Sequence, residues 1–236
     1  MGLFNYPSSY SRPGPGIDKN APPKKGVALF LDILGREFWA LLLVNVIYVL
    51  FCLPIITIGP ATAALYRVTV TMVRDKNVYA WKDFWEAFKS NWKQGLIFGI
   101  PFVLFLLAAV WMNLMGLIQG VGSLLLVAAV WTMIGLSVFC YVFALISNVA
   151  LPAWPLLKDA VFLMVLGKIR TLAAALVIYA VNMAMLLYWP LSFPAALLLG
   201  FAFPTLFSSF MVWPVIQKYV IQEAQAQPEQ PQESDT

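Results

Sequence analysis

Side chains able to do chemistry are scarce in this 236-residue chain. There is no histidine, which removes the commonest general base, proton shuttle and metal ligand. Cys52 and Cys140 stand alone in apolar stretches, without the paired spacing of a metal or redox motif, and read as small buried hydrophobes. Phe38 to Tyr66, Gln94 to Leu157 and Thr171 to Gln217 contain no carboxylate, so an intramembrane proton or cation relay lacks its parts. No phosphate-binding loop, GxSxG elbow or HExxH pair occurs. No enzyme activity is expected, and no catalytic, cofactor-binding or metal-ligating residue is assigned.

Three groups of polar or amphipathic residues remain. The first is Arg67, which lies in the apolar run "LPIITIGPATAALYRVTV" with the turn residues Thr57, Gly59, Pro60 and Thr62. A guanidinium in a span is explained by snorkelling to headgroups, by a structural partner, or by a functional polar path. The second is "YAWKDFWEAFKSNWKQ", in which Trp81, Phe84, Trp85, Phe88 and Trp92 recur at helical spacing while Lys82, Asp83, Glu86, Lys89 and Lys93 turn away. Such a helix serves either as an anchor in the headgroup layer or as a docking face for a partner. The third is a scatter of Asn45, Asn113, Thr132, Asn148, Asn182, Ser208 and Ser209, read as hydrogen-bonding glue between helices.

The elements that position these residues follow from composition. With 61% hydrophobic and only 11% charged residues, against roughly a quarter charged in soluble domains, the chain reads as a polytopic membrane protein. It opens on a Pro/Gly/Ser/Lys-rich segment rather than an apolar signal, so this N-terminal segment is expected to be retained. About 20 apolar residues cross a bilayer. By that ruler Phe38–Ile56, Gly95–Leu117, Thr171–Trp189 and Phe193–Val215 are spans, and Ser123–Leu151 is long enough to tilt or project.

Basic residues fix the sidedness. Those before Phe38 and those from Arg67 to Lys93 belong on one side, which requires the chain to go and return between them, with Gly59 and Pro60 at an outer turn. The return arm, Pro60 to Arg74, is short, and a re-entrant arm satisfies the charges equally well. Lys158, Lys168, Arg170 and Lys218 obey the same partition, so all 15 basic residues lie inside or towards the inside. Outer connections are then expected only around residues 57–60, 118–122 and 188–194. The net charge of +4 reflects this inner-face bias and contact with membrane lipids, not nucleic acid. Pro194, Pro204 and Pro214 predict a kinked or broken last span.

The fold class read here is all-α: a transmembrane helical bundle of five to six spans, arranged as three hairpins, each preceded by an interfacial amphipathic helix. Both termini are cytoplasmic. Residues 1–26 form a Pro/Gly-rich tail, 27–220 the helical domain, and 221–236 a polar disordered tail.

The stretches "FNYPSSYSRPGPGIDKNAPPKK", "LGREFWALLLVNVIYVLFCLPIITIGPATAALYRV" and "DFWEAFKSNWKQ" resemble the YesL family of bacterial integral membrane proteins. The likeness covers nearly the whole chain, and ITIGPATAALY is its most specific element. It implies a multi-pass protein of the bacterial cytoplasmic membrane, with about five spans and no catalytic or ligand residue to carry over. It also implies a role near carbohydrate import, and together with the aromatic helix this leads to the expectation of an accessory or regulatory subunit bound to the permease subunits of an ABC importer, with or without its ATPase subunits, touching oligosaccharide only indirectly if at all. The alternative is an independent channel or secondary carrier for a neutral solute. On the first reading, removing residues 2–22 weakens co-purification with the importer and leaves membrane insertion unchanged. Pull-down and membrane fractionation of the truncated chain measure both.

Overall fold

The computed structural model describes residues 25–222, so both tails lie almost wholly outside the described residues. All regular structure among them is helical. In chain order the helices are α1 (Val27–Arg36), α2 (Phe38–Cys52), α3 (Ile58–Val73), α4 (Ala80–Ser90), α5 (Trp92–Gln119), α6 (Gly122–Asn148), α7 (Ala153–Leu166), α8 (Lys168–Leu187), the short α9 (Phe193–Ala195) and α10 (Ala202–Ile216). Five helical stretches are long and apolar enough to cross a membrane: Ile55–Val73, Trp92–Gln119, Gly122–Asn148, Lys168–Leu187 and Phe193–Ile221. The chain is a multi-pass, all-α membrane protein. α2, at 15 residues, is about 22 Å long and falls short of a full bilayer by itself.

The threefold pattern in the sequence is visible in the chain path. A short helix (α1, α4, α7) precedes a longer one (α2, α5, α8), separated by a single residue, Glu37, Asn91 or Gly167. α5 and α6 form the longest hairpin and turn at Gly120, whose φ of 64° is left-handed and suits a residue without Cβ. At 28 and 27 residues each is about 40 Å long, more than the hydrocarbon core needs. α3 ends in a Schellman motif, with Asp75 at φ 54° and the Lys76 amide donating to the Thr71 carbonyl at 3.3 Å. Beside it, Arg36 binds Asp75 at 2.8 Å and Glu37 at 3.0 Å, tying the α1–α2 corner to the end of α3. The Glu37 hydrogen bond raises the Arg36 pKa further above its ordinary value.

α3 is the axis of the molecule. It packs on α2, α4, α5, α6 and α10, and 72% of its most apolar stretch is buried, against 17% for α8. Small residues make this possible: Ala61, Ala63, Ala64, Thr62 and Thr69 are all buried and allow neighbouring helices close. Three hydroxyl pairs stitch α3 to its neighbours: Tyr48 with Thr62 at 3.2 Å, Tyr66 with Ser208 at 3.0 Å and Thr69 with Ser209 at 2.8 Å.

The last span is broken, and its repair comes from α2. Residues Ala196–Gly200 and Gln217–Ile221 are π-helical, and Pro204 cannot supply an amide to the Gly200 carbonyl four residues earlier. Fully buried Asn45 fills the first gap. Its Nδ2 donates to the Ala196 and Leu197 carbonyls at 3.1 and 2.7 Å, and its Oδ1 accepts from the Phe201 and Ala202 amides at 3.0 and 2.8 Å. One side chain thus satisfies four backbone groups that lipid cannot. Asn45→Leu, of similar volume, leaves them orphaned and is expected to cost about 2 kcal/mol or more; thermal unfolding in detergent, compared with Asn182→Leu, reads the loss.

Candidate functional site: the hairpin tip and the aromatic ladder

The turn between α2 and α3 is built from its own backbone. Pro54 ends the α2 path, and Ile55–Thr57 form a single 3₁₀ turn. The Thr57 hydroxyl donates to the Phe51 carbonyl and, at 2.6 Å, to the Pro54 carbonyl, closing the last turn of α2. Pro60 sits in the first turn of α3, where its missing amide leaves nothing unpaired. The Thr62 hydroxyl donates back to the Ile58 carbonyl at 2.7 Å.

Gly59 is where the tip meets the next hairpin. An ideal Cβ on Gly59 would lie 2.0 Å from the Gly95 carbonyl oxygen and 2.5 Å from the Gly99 Cα. One on Gly95 would lie 2.7 Å from the Pro60 Cα, and one on Gly99 2.6 Å from the Gly59 Cα. The two backbones touch, and three glycines permit it. The contact also relocates the tip. Charge partition put Gly59 and Pro60 at an outer turn, whereas here they lie beside Gly95, two residues beyond Lys93 at the basic end of α5. α4 packs along α3 and carries the chain back from the Asp75 end, delivering the start of α5 to the tip.

α4 carries the aromatic ladder. Phe84 and Phe88 are buried under α2 and α3, whereas Trp81 is 58%, Trp85 36% and Trp92 38% exposed. Phe51 of α2 inserts edge-on among them, with centroids 5.3 Å from Phe84, 4.9 Å from Phe88, 5.7 Å from Trp85 and 6.4 Å from Trp81. The five aromatics expected on one face therefore divide. The two phenylalanines hold α4 to the hairpin, and the tryptophans face outwards. Trp92 belongs to α5, beyond the break at Asn91, yet continues the row through its 5.1 Å edge contact with Phe88. Outside, Trp81 stacks on Trp85 at 6.4 Å with planes 10° apart, and the Lys89 ammonium lies 4.6 Å from the Trp85 centroid.

Arg67 is exposed on the flank of α3 and reaches the end of α6. Its Nη1 donates to the Ser147 carbonyl and to Asn148 Oδ1, both at 3.2 Å. A cation there meets unpaired carbonyls and the negative end of the helix dipole. It lines a polar groove with Arg74, Lys76, Asp83, Glu86 and Asn91. Arg74 also packs over Trp213, 4.9 Å from its ring centroid. Among the described residues no cluster of three or more His, Cys, Asp or Glu could hold a metal ion.

Sequence reasoning missed Gly95, Gly99 and Phe51. The glycines carry a signal, since G-LIF-G at 95–99 is a small-xxx-small spacing at the head of a span. Phe51 carries none, being one apolar residue among many. Gly99→Ala forces a methyl into the Gly59 backbone and is expected to cost at least ~2 kcal/mol. Gly35→Ala, where a Cβ meets nothing within 4 Å, serves as the neutral control. Detergent melting temperatures of the two variants make the comparison.

A family described as "Protein of unknown function, DUF624" matches residues 41–114. The matched segment runs from Leu41 in α2 to Leu114 in α5, and so contains Asn45, the hairpin tip, the ladder and the glycine contact. Neither the curated proteins nor the solved structures compared gave a match.

Proposed function

We propose that this chain is a YesL-family accessory or regulatory subunit of a carbohydrate ABC importer, in the bacterial cytoplasmic membrane, bound to the importer's permease subunits. The observation that carries the reading is the outward row of Trp81, Trp85 and Lys89 on a support packed against α2 and α3. Phe84 and Phe88 are locked beneath it by Phe51, so the exposed rings are pre-ordered for contact and little entropy is lost on binding. Tryptophan on a rigid base is the residue type most enriched among dominant interface contacts. The connections at Gly120–Val121 and Tyr188–Ser192 are too short for a ligand-capturing domain, which leaves lateral helix faces and the basic side for partners. The match to the DUF624 family agrees with the resemblance of the hairpin motif to YesL proteins.

The competing use of the same row is as an anchor among lipid headgroups, and one experiment separates them. The chain is purified from its own host at native expression in mild detergent, and the bound proteins are identified by mass spectrometry. Permease subunits, with or without the ATPase subunits, are expected at near-stoichiometric recovery. The Trp81→Ala/Trp85→Ala variant is expected to lose about tenfold of that recovery while remaining in the membrane fraction. Recovery of the chain alone overturns the reading.

A carrier for a neutral solute is the second reading, and one observation favours it. Asn182 lines open space between α5, α6 and α8. Asn148, the other residue such a path would use, is instead occupied at the end of α6 by Arg67, Ser147 and the Ala144 carbonyl. Solute flux into liposomes holding this chain alone, lost in Asn182→Leu, would favour the carrier.

A further inference from the structure

A groove between α1, the end of α3, the start of α8 and the end of α10 gathers three cations from three elements. They are Arg74 at the end of α3, Lys76 in the connection that follows, and Arg170 in the first turn of α8. None of the three makes an ion pair among the described residues. Asp75, the carboxylate in the lining, is held by Arg36 at 2.8 Å. Arg74 and Lys76 also border the groove that holds Arg67, but its carboxylates are engaged: Asp83 accepts from the Tyr79 amide at 2.9 Å, and Glu86 stands 4.0 Å from Lys82. Cations gathered without a counter-charge repel one another, so an anion relieves them. Arg74 is already placed for one. Its guanidinium lies over the Trp213 ring, 4.9 Å from the centroid, and stacking covers its face while leaving its N–H fork free for a phosphate.

The remaining wall is largely apolar, formed by Leu29, Val73, Phe210, Met211 and Pro214. Apolar surface continues beyond it on both sides. Ile169 and Leu172, on either side of Arg170 in α8, are 79% and 56% exposed, and Val27 and Leu31 of α1 are 74% and 58% exposed. The three cations therefore stand at headgroup depth, at the ends of spans whose lipid-facing surface begins within a residue or two.

We infer that this groove binds the phosphodiester headgroup of an anionic glycerophospholipid in the leaflet on the basic side, with the glycerol and upper acyl chain along Phe210, Met211 and Pro214. Both halves of the lining favour this occupant. A zwitterionic headgroup brings an ammonium towards three cations, and a soluble anion leaves the apolar wall uncovered. The chain's own Glu223, Glu229, Glu233 and Asp235 follow Ile221 of the lining and match its charge, but only alanine and proline stand among them to cover that wall. Basic pockets between spans on the cytoplasmic side commonly take anionic headgroups.

The test titrates the full chain in mild detergent with phosphatidylglycerol or phosphatidylcholine and counts bound lipid by native mass spectrometry. One phosphatidylglycerol is expected to bind about tenfold or more tightly than phosphatidylcholine. Arg74→Gln/Arg170→Gln is expected to weaken phosphatidylglycerol about 25-fold, roughly fivefold for each charge removed, and to leave phosphatidylcholine unchanged. Lys76→Gln alone, outside any helix, is expected to cost about fivefold and does not depend on the double variant keeping its fold. Lys93→Gln/Lys158→Gln removes two charges from the same side outside the groove and is expected to change little. Glycerophosphoglycerol, the same headgroup without acyl chains, is expected not to compete at concentrations at which the lipid saturates. Equal affinity for the two lipids, equal loss in both double variants, or competition by the deacylated headgroup overturns the site. A phosphatidylglycerol preference that emerges only after residues 223–236 are removed also overturns it, since the groove then belongs to the chain's own acidic segment.

Discussion

Backbone contact between Gly59, Gly95 and Gly99 sets the geometry on which the rest of the molecule depends. Helices in lipid gain little by hiding apolar surface from one another, so close fit and hydrogen bonding hold them together. Here the fit is closest at the tip of the first hairpin, and it fixes where α5 starts. With that start fixed, α4 must run back along α3, Phe84 and Phe88 must turn inwards onto Phe51, and α6, returning beside α5, must bring its C-terminus to Arg67.

A second constraint acts at the other face of α3. The last span breaks its α-helical ladder at the π segment Ala196–Gly200, and Asn45 supplies partners there from α2. The first hairpin is therefore held twice, by side-chain absence on one flank and by one saturated carboxamide on the other. The hydroxyl pairs along α3 add register between these points. The result is two buried clusters that share α3 and α10, one with α1, α2 and α4 and the other with α5, α6, α7 and α8, while the outer surfaces of α5 and α8 remain apolar and open.

Much of this was legible in the residues. Apolar lengths located the four later spans within a few residues, and proline spacing anticipated the break in the last one, but the first span expected at Phe38–Ile56 is the 15-residue α2, and the longer arm of that hairpin is Ile55–Val73. The aromatic period located α4. What was not legible depends on long-range pairing. Periodicity shows that Trp81, Phe84, Trp85 and Phe88 share a face, but the division into buried phenylalanines and exposed tryptophans is decided by Phe51, some 30 residues away in an unremarkable apolar run. Asn45 and Asn182 look alike in sequence, each a lone amide in a span. One is fully buried with four backbone partners, and the other is open to a cleft.

The Asn45 clamp also places a condition on biosynthesis. Its first acceptor, Ala196, follows it by 151 residues, so α2 emerges from the ribosome long before the groups that complete it. At 5–20 residues per second the delay is roughly 8–30 s. Throughout that time a bare carboxamide must be housed by the insertion machinery, by water at the membrane surface, or by a provisional partner. The first hairpin thus reaches its final state only when the C-terminal span that seals it has been made.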